Sequence, residues 1–195
     1  MLPNQTLLTT SITGEFIAPD STPFRYTTDT ELGGIALNNS SQGLEVQTWT
    51  ATITRTGIAV SAPNTPAIEL ITGQRITEVA LAFDQNMRPH IAYVQNNVPK
   101  LYWYNTAIGA QVTTVFLGIT NPRLCLDDKR PSQSSASDVL MFYLKDRSLF
   151  FRAQRDRFGV EYPLGPVEGN VLRRVGMNNK LRIQIEIERK PADEL

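Results

Sequence analysis

Runs of four to eight β-branched and aromatic residues, broken by Gly, Pro, Asn and Asp, recur along this chain, and apolar and polar residues alternate most cleanly in 181–188. The three-and-four spacing of an amphipathic helix is nearly absent, so the pattern predicts strands. Four short runs, 79–84 (VALAFD), 89–94 (PHIAYV), 100–104 (KLYWY) and 112–116 (VTTVF), are followed in the same order by 123–127 (RLCLD), 138–144 (DVLMFYL), 148–152 (SLFFR) and 158–162 (FGVEY). Aromatic identity aligns Tyr93 with Tyr143, Leu101 with Leu149, Tyr102 with Phe150 and Trp103 with Phe151. A four-strand unit repeating at roughly 40–50 residues is the mark of a propeller blade. The expected fold is all-β, with antiparallel sheets, two blade-like four-stranded repeats and an N-terminal β region. A β-sandwich is the alternative. Two such repeats cannot close a ring, so their apolar faces are expected to be covered by other polypeptides.

The remaining segments divide by pattern. Residues 1–30 are rich in Thr, Ser and Pro and read as an extended arm. Residues 31–75 form the N-terminal β region: a strand begins at Gly33, and residues 38–43 (NNSSQG) read as a turn. Leu44 and Val46 are out of phase with Trp49, Ala51 and Ile53, which predicts a β-bulge near Thr48. Residues 76–166 hold the two repeats, and the polar insert 128–137 reads as a surface loop. In the remaining 167–195, Leu181, Ile183, Ile185 and Ile187 alternate with Arg182, Gln184, Glu186 and Glu188. That is one C-terminal strand with one buried and one wet face, of the kind that completes a sheet begun elsewhere.

Composition narrows the chemistry. Lys+Arg and Asp+Glu number 19 each, so the net charge is zero and no global field attracts nucleic acid or an anionic membrane. Cys125 is the only cysteine and lies in an apolar run, which suits a buried, inert thiol. No apolar run is long enough to span a bilayer, and the first residues lack a secretion signal. His90 is the only histidine, so a His-based zinc site is excluded, and it reads as a surface or strand-end hydrogen bonder. No nucleophile elbow, phosphate loop or dinucleotide fingerprint occurs. Asp84 and Asp127 fall at matching places after the first strand of each repeat. Paired carboxylates can serve a glycosidase. Equivalence between repeats favours a shared turn-setting role instead, and the Asp box of sialidase blades is missing. No catalytic residue, cofactor or metal is expected.

The aromatic residues are expected to pack. Trp49, Tyr93, Trp103, Tyr143 and Phe151 are the candidate anchors. Tyr102 and Tyr104 share one strand face and, if exposed, could stack sugars. Arg152, Arg155 and Arg157, with Lys145 and Arg147, interleave with Asp146, Asp156 and Glu161, which suits an ion-pair network at a subunit interface or a plain solvated face.

Several phrases resemble virion structural proteins of tailed bacteriophages. They are residues 34–37 (GIAL), 41–49 (SQGLEVQTW), 81–86 (LAFDQN) with Arg88-Pro89, 141–146 (MFYLKD), 149–158 (LFFRAQRDRF), 161–164 (EYPL) and 175–186 (VGMNNKLRIQIE). The resemblance implies a non-enzymatic oligomer in the neck, collar or tail. Its partners would be copies of itself and other virion proteins of the portal, adaptor, tail or baseplate, with neither nucleic acid nor membrane. It would be made in the host cytoplasm and reside in the virion. The alternative is a tail or baseplate module that binds a receptor or carbohydrate.

Overall fold

A computed structural model describes residues 9–10, 32–40, 43–62, 66–84, 88–127, 138–167, 169–177 and 183–189. Most of the N-terminal arm and the 128–137 insert lie outside the described residues. The fold is all-β, and every pairing is antiparallel between consecutive strands. The first sheet comprises β1 (Thr9–Thr10), β2 (Leu32–Ser40), β3 (Gly43–Ile53), β4 (Gly57–Ser61) and β5 (Ile68–Thr72). The second holds β6 (Ile76–Phe83), β7 (Pro89–Gln95), β8 (Val98–Asn105) and β9 (Ala110–Val115). The third holds β10 (Thr120–Asp127), β11 (Asp138–Lys145), β12 (Ser148–Ala153) and β13 (Tyr162–Pro166). The fourth is a hairpin of β14 (Asn170–Met177) and β15 (Ile183–Arg189). No helix among the described residues is long and apolar enough to cross a membrane.

Two-residue turns set the register of both repeats. Asn96-Asn97 joins β7 to β8 and Asp146-Arg147 joins β11 to β12, all four residues with positive φ between 49° and 61°. That is the I′ geometry that matches strand twist. Tyr93 therefore faces Lys100, and Tyr143 faces Phe150. Superposing the turns keeps Tyr93 with Tyr143 but aligns Leu101 with Phe151, Tyr102 with Arg152 and Trp103 with Ala153. The alignment by aromatic identity is two residues out of register beyond the turn.

Other expectations are corrected. β2 continues through Asn38, Asn39 and Ser40 and pairs Ser40 with Gly43, so the turn is shorter than its polar composition suggests. The β2–β3 register runs unbroken, without a bulge at Thr48. β4 joins β3 only from Thr50 to Ile53, so the two halves of β3 have different neighbours. Residues 154–161 are not strand: Gln154–Asp156 is a 3-10 turn, and Arg157 and Phe158 take left-handed backbone at 52° and 55°. The C-terminal strand is not alone. It pairs with β14, and the ladder shifts between Leu172 and Arg174.

The sheets stack face to face. Val79, Leu81, Phe83, Ile91 and Tyr93 share one face of the second sheet by cross-strand register. That face meets the first sheet, where Trp49 sits edge-on to Phe83 at 5.8 Å. The opposite face carries the small residues Ala80, Ala82 and Ala92 with Leu101 and Trp103. It packs with Leu124, Leu126, Val139, Met141 and Tyr143 of the third sheet in one buried cluster. Small residues facing large ones let the layers interlock at native density. Alternate residues of the third sheet (Cys125, Leu140, Phe142 and Leu144) pack with Leu172 and Val175 of the fourth. Among the described side chains, Thr50, Thr52 and Ser61 line the outer face of the first sheet, and Arg174, Gln184 and Glu186 that of the fourth. The central strands of both repeats are thus covered on both faces by this chain itself, whereas the outer strands β9 and β13 are largely exposed. The expectation that other polypeptides must cover those central strands is overturned, because the first and fourth sheets do it.

Candidate functional site

The densest polar constellation lies where the second and third sheets meet. Tyr143 is fully buried on β11. Its hydroxyl donates to Glu161 Oε2 at 2.7 Å and accepts from Arg152 Nε at 2.9 Å. Arg152 also bonds Glu161 at 3.1 Å and the carbonyl oxygens of Phe158 and Gly159 at 2.8 and 3.0 Å. Its guanidinium lies 5.2 Å from the ring centre of Phe116, which belongs to the neighbouring sheet's exit loop. Lys145 completes the group at 2.9 Å from Glu161. The hydrogen bond from Tyr143, then Lys145 and Arg152, hold the Glu161 carboxyl below the usual carboxylate range against its partial burial. Burial, first, and Glu161 push the Tyr143 hydroxyl well up. A saturated network of this kind locks a loop.

Within the anticipated basic cluster, Lys145, Arg152 and Arg155 make intrachain ion pairs. Arg155 donates from its backbone N–H to Asp138 Oδ1 at 3.0 Å and from Nη1 to Oδ2 at 3.1 Å. Arg157 is exposed and caps the 3-10 turn. Among the aromatic anchors, Tyr93, Trp103 and Tyr143 are buried, and Trp49 is half-buried against the core. Phe151 lies on the other face, stacked on Tyr162 at 4.8 Å. Tyr102 is half-buried, and burial raises its hydroxyl. The Arg88 guanidinium sits 3.6 Å from the Tyr104 ring centre, where a sugar would stack.

Asp84 sets a turn, as its place in the repeat suggests: Oδ1 accepts the Arg88 N–H at 3.0 Å. Gln154 Nε2 of the third sheet reaches Oδ2 at 3.4 Å. Asp127 closes β10 opposite Asp138. The described residues contain no group of three His, Cys, Asp or Glu able to hold a metal ion.

Three participants are not apparent in the sequence. Arg123, 4% exposed, donates to the Arg173 carbonyl at 3.0 Å and to Glu78 at 3.3 Å. One guanidinium on β10 thus joins β6 and β14, three sheets in all. Its position inside an apolar strand was the available signal. Phe158 inserts against Trp103 at 5.1 Å, edge to face. His90 is fully buried rather than at the surface. Its Nδ1 donates to the Arg88 carbonyl at 3.1 Å, and Nε2 has no partner.

Burial outweighs the attraction of Asp84 and lowers the His90 pKa to about 4 from 6.5. The fold holds the neutral ring. Its contribution is complete above the unfolded value of 6.5 and is lost as the pH falls toward about 4. The loss amounts to about 3 kcal/mol. Denaturant unfolding at pH 7 and pH 4 is expected to show this difference in the parent and a smaller one in His90→Asn, whose amide can still donate to Arg88. An equal difference in both chains would exclude His90 as the cause.

No family model, curated protein or solved structure matches this chain.

Proposed function

We propose that this chain is a structural component of a tailed-phage particle, placed in the neck, collar or tail and working through protein–protein contacts without catalysis. The observation that carries the reading is how the polar side chains are used. Glu161, Arg152, Lys145 and Tyr143 saturate one another, Asp84 and Asp138 bind backbone N–H groups, and Arg123 joins three sheets. These are ties for a rigid body. The resemblance of several segments to virion proteins supplies the setting. Outer strands and loops offer the contact surface: Ile108, Val115, Leu117, Val160 and Leu164 are exposed large apolar residues along the second and third sheets.

Mass spectrometry of gradient-purified particles from cells expressing the gene tests the proposal. The chain is expected to be retained in particles through high-salt washing, with cross-links from the outer strands to other particle proteins. Abundance in the lysate combined with absence from particles would overturn it.

A further inference from the structure

We propose that His90 is an acid-operated latch on the seam between the second and third sheets: charging the ring parts Phe158 from Trp103 while each sheet keeps its own strand ladder. The inference goes beyond the assembly reading and does not depend on it.

Position comes first. His90 pairs with Ala82 in the register of β6 and β7, on the second-sheet face that meets the third sheet. Its ring centre lies 6.2 Å from that of Phe158, which in turn packs on Trp103. With Nδ1–H committed to the Arg88 carbonyl, the neutral tautomer leaves a lone pair on Nε2. A bare lone pair in an apolar seam is tolerable. A second N–H carrying positive charge there requires an acceptor or water.

Neighbouring groups do not supply one. From its own sheet the ring faces Asp84 and Arg88, which act in opposite senses. Asp84 is already bonded by the Arg88 N–H and by Gln154. From the third sheet come Gln154 and the Phe158 ring, while Arg155 pairs with both Asp138 and Asp156. Nε2 is left without a partner from either side.

The yielding part is the Phe158 loop. Arg157 and Phe158 are consecutive left-handed residues with side chains, a strained backbone that its surroundings must hold in place. Those holds include the Phe158 N–H bond to the Ala153 carbonyl at 2.9 Å and the Arg152 bonds to the Phe158 and Gly159 carbonyls at 2.8 and 3.0 Å. The sheet ladders do not run through this loop. Withdrawing Phe158 admits water to Nε2 and leaves strand pairing intact. A buried charge change coupled to a local element with two positions is the general form of such a switch.

The composition makes the test direct. His90 is the only histidine, and Trp49→Phe leaves Trp103 the only tryptophan. In that variant, Trp103 emission is expected to shift to the red as the pH falls from 7 toward 4, before the far-ultraviolet strand signal changes. The NMR titration of the lone imidazole should share the emission midpoint, and adding His90→Asn should abolish this first shift. The proposal is overturned if emission and strand signal change together in both chains. It is also overturned if the ring titrates near 6.5 with emission unmoved. Should the Asn variant not fold, unequal imidazole and emission midpoints in the His90 chain overturn it just as well.

Discussion

Trp103→Ala is expected to lower the unfolding free energy by about 4 kcal/mol. The indole is 4% exposed and belongs to the core cluster that spans the first three sheets. It meets Phe158 edge to face at 5.1 Å, and Nε1 donates to Thr114 Oγ1 at 3.0 Å. Truncation opens a large cavity between two sheets and removes the Phe158 contact. Neighbouring Ala80, Ala82 and Ala92 are too short to refill the space. Thr114→Val removes only the hydrogen bond and should cost about 1 kcal/mol. Urea titrations of the three chains give the comparison. A Trp103→Ala loss below about 1 kcal/mol would show that the seam collapses freely around the missing ring.

Arg123→Ala is expected to cost about 3 kcal/mol, the scale for removing one partner of a buried ion pair. The side chain is 5% exposed and its Glu78 partner 30%. Removal takes a donor from the Arg173 carbonyl and from the Pro122 carbonyl at 2.9 Å. Arg123→Lys should recover less than half of the loss, because an ammonium lacks the planar fork that reaches the carbonyl and the carboxylate together. Hydrogen exchange supplies a second readout: amides of β14 and β15 are expected to lose protection before those of β6 to β9. Equal loss everywhere would mean that Arg123 supports the whole fold rather than the joint between the last two sheets.

The central strands were legible because their physics is local. Alternation and runs of β-branched and aromatic residues act within a few positions. Long-range effects were not legible. β14 escaped notice because adjacent Arg173 and Arg174 interrupt its alternation at the register shift. Residues 158–162 look like a strand, but left-handed backbone at Arg157 and Phe158 redirects the chain, which their residue types do not signal. Phe158 then packs on a different sheet. Trp103 and Phe151 look equivalent because both are aromatic, yet they sit on strands whose turns align Trp103 with Ala153. At the candidate site, the charges of Lys145, Arg152 and Glu161 were visible, but their convergence on the Tyr143 hydroxyl depends on the loop path between β12 and β13. The burial of His90 follows from sheet stacking, to which no short window of sequence is sensitive.

Because each ladder joins only neighbouring strands, synthesis on the ribosome can proceed one layer at a time. Closing short hairpins costs little chain entropy, so a sheet can zip up soon after its last strand emerges. Its second face stays wet until the following layer arrives. The second sheet passes through this half-covered state while residues of the third are still being translated. Ala80, Ala82 and Ala92 present little greasy area in that interval, so the exposed apolar surface of this face centres on Leu101 and Trp103 until Leu124, Leu126 and Met141 emerge to cover them. Small side chains on β6 and β7 narrow the sticky patch of the nascent chain mainly to β8.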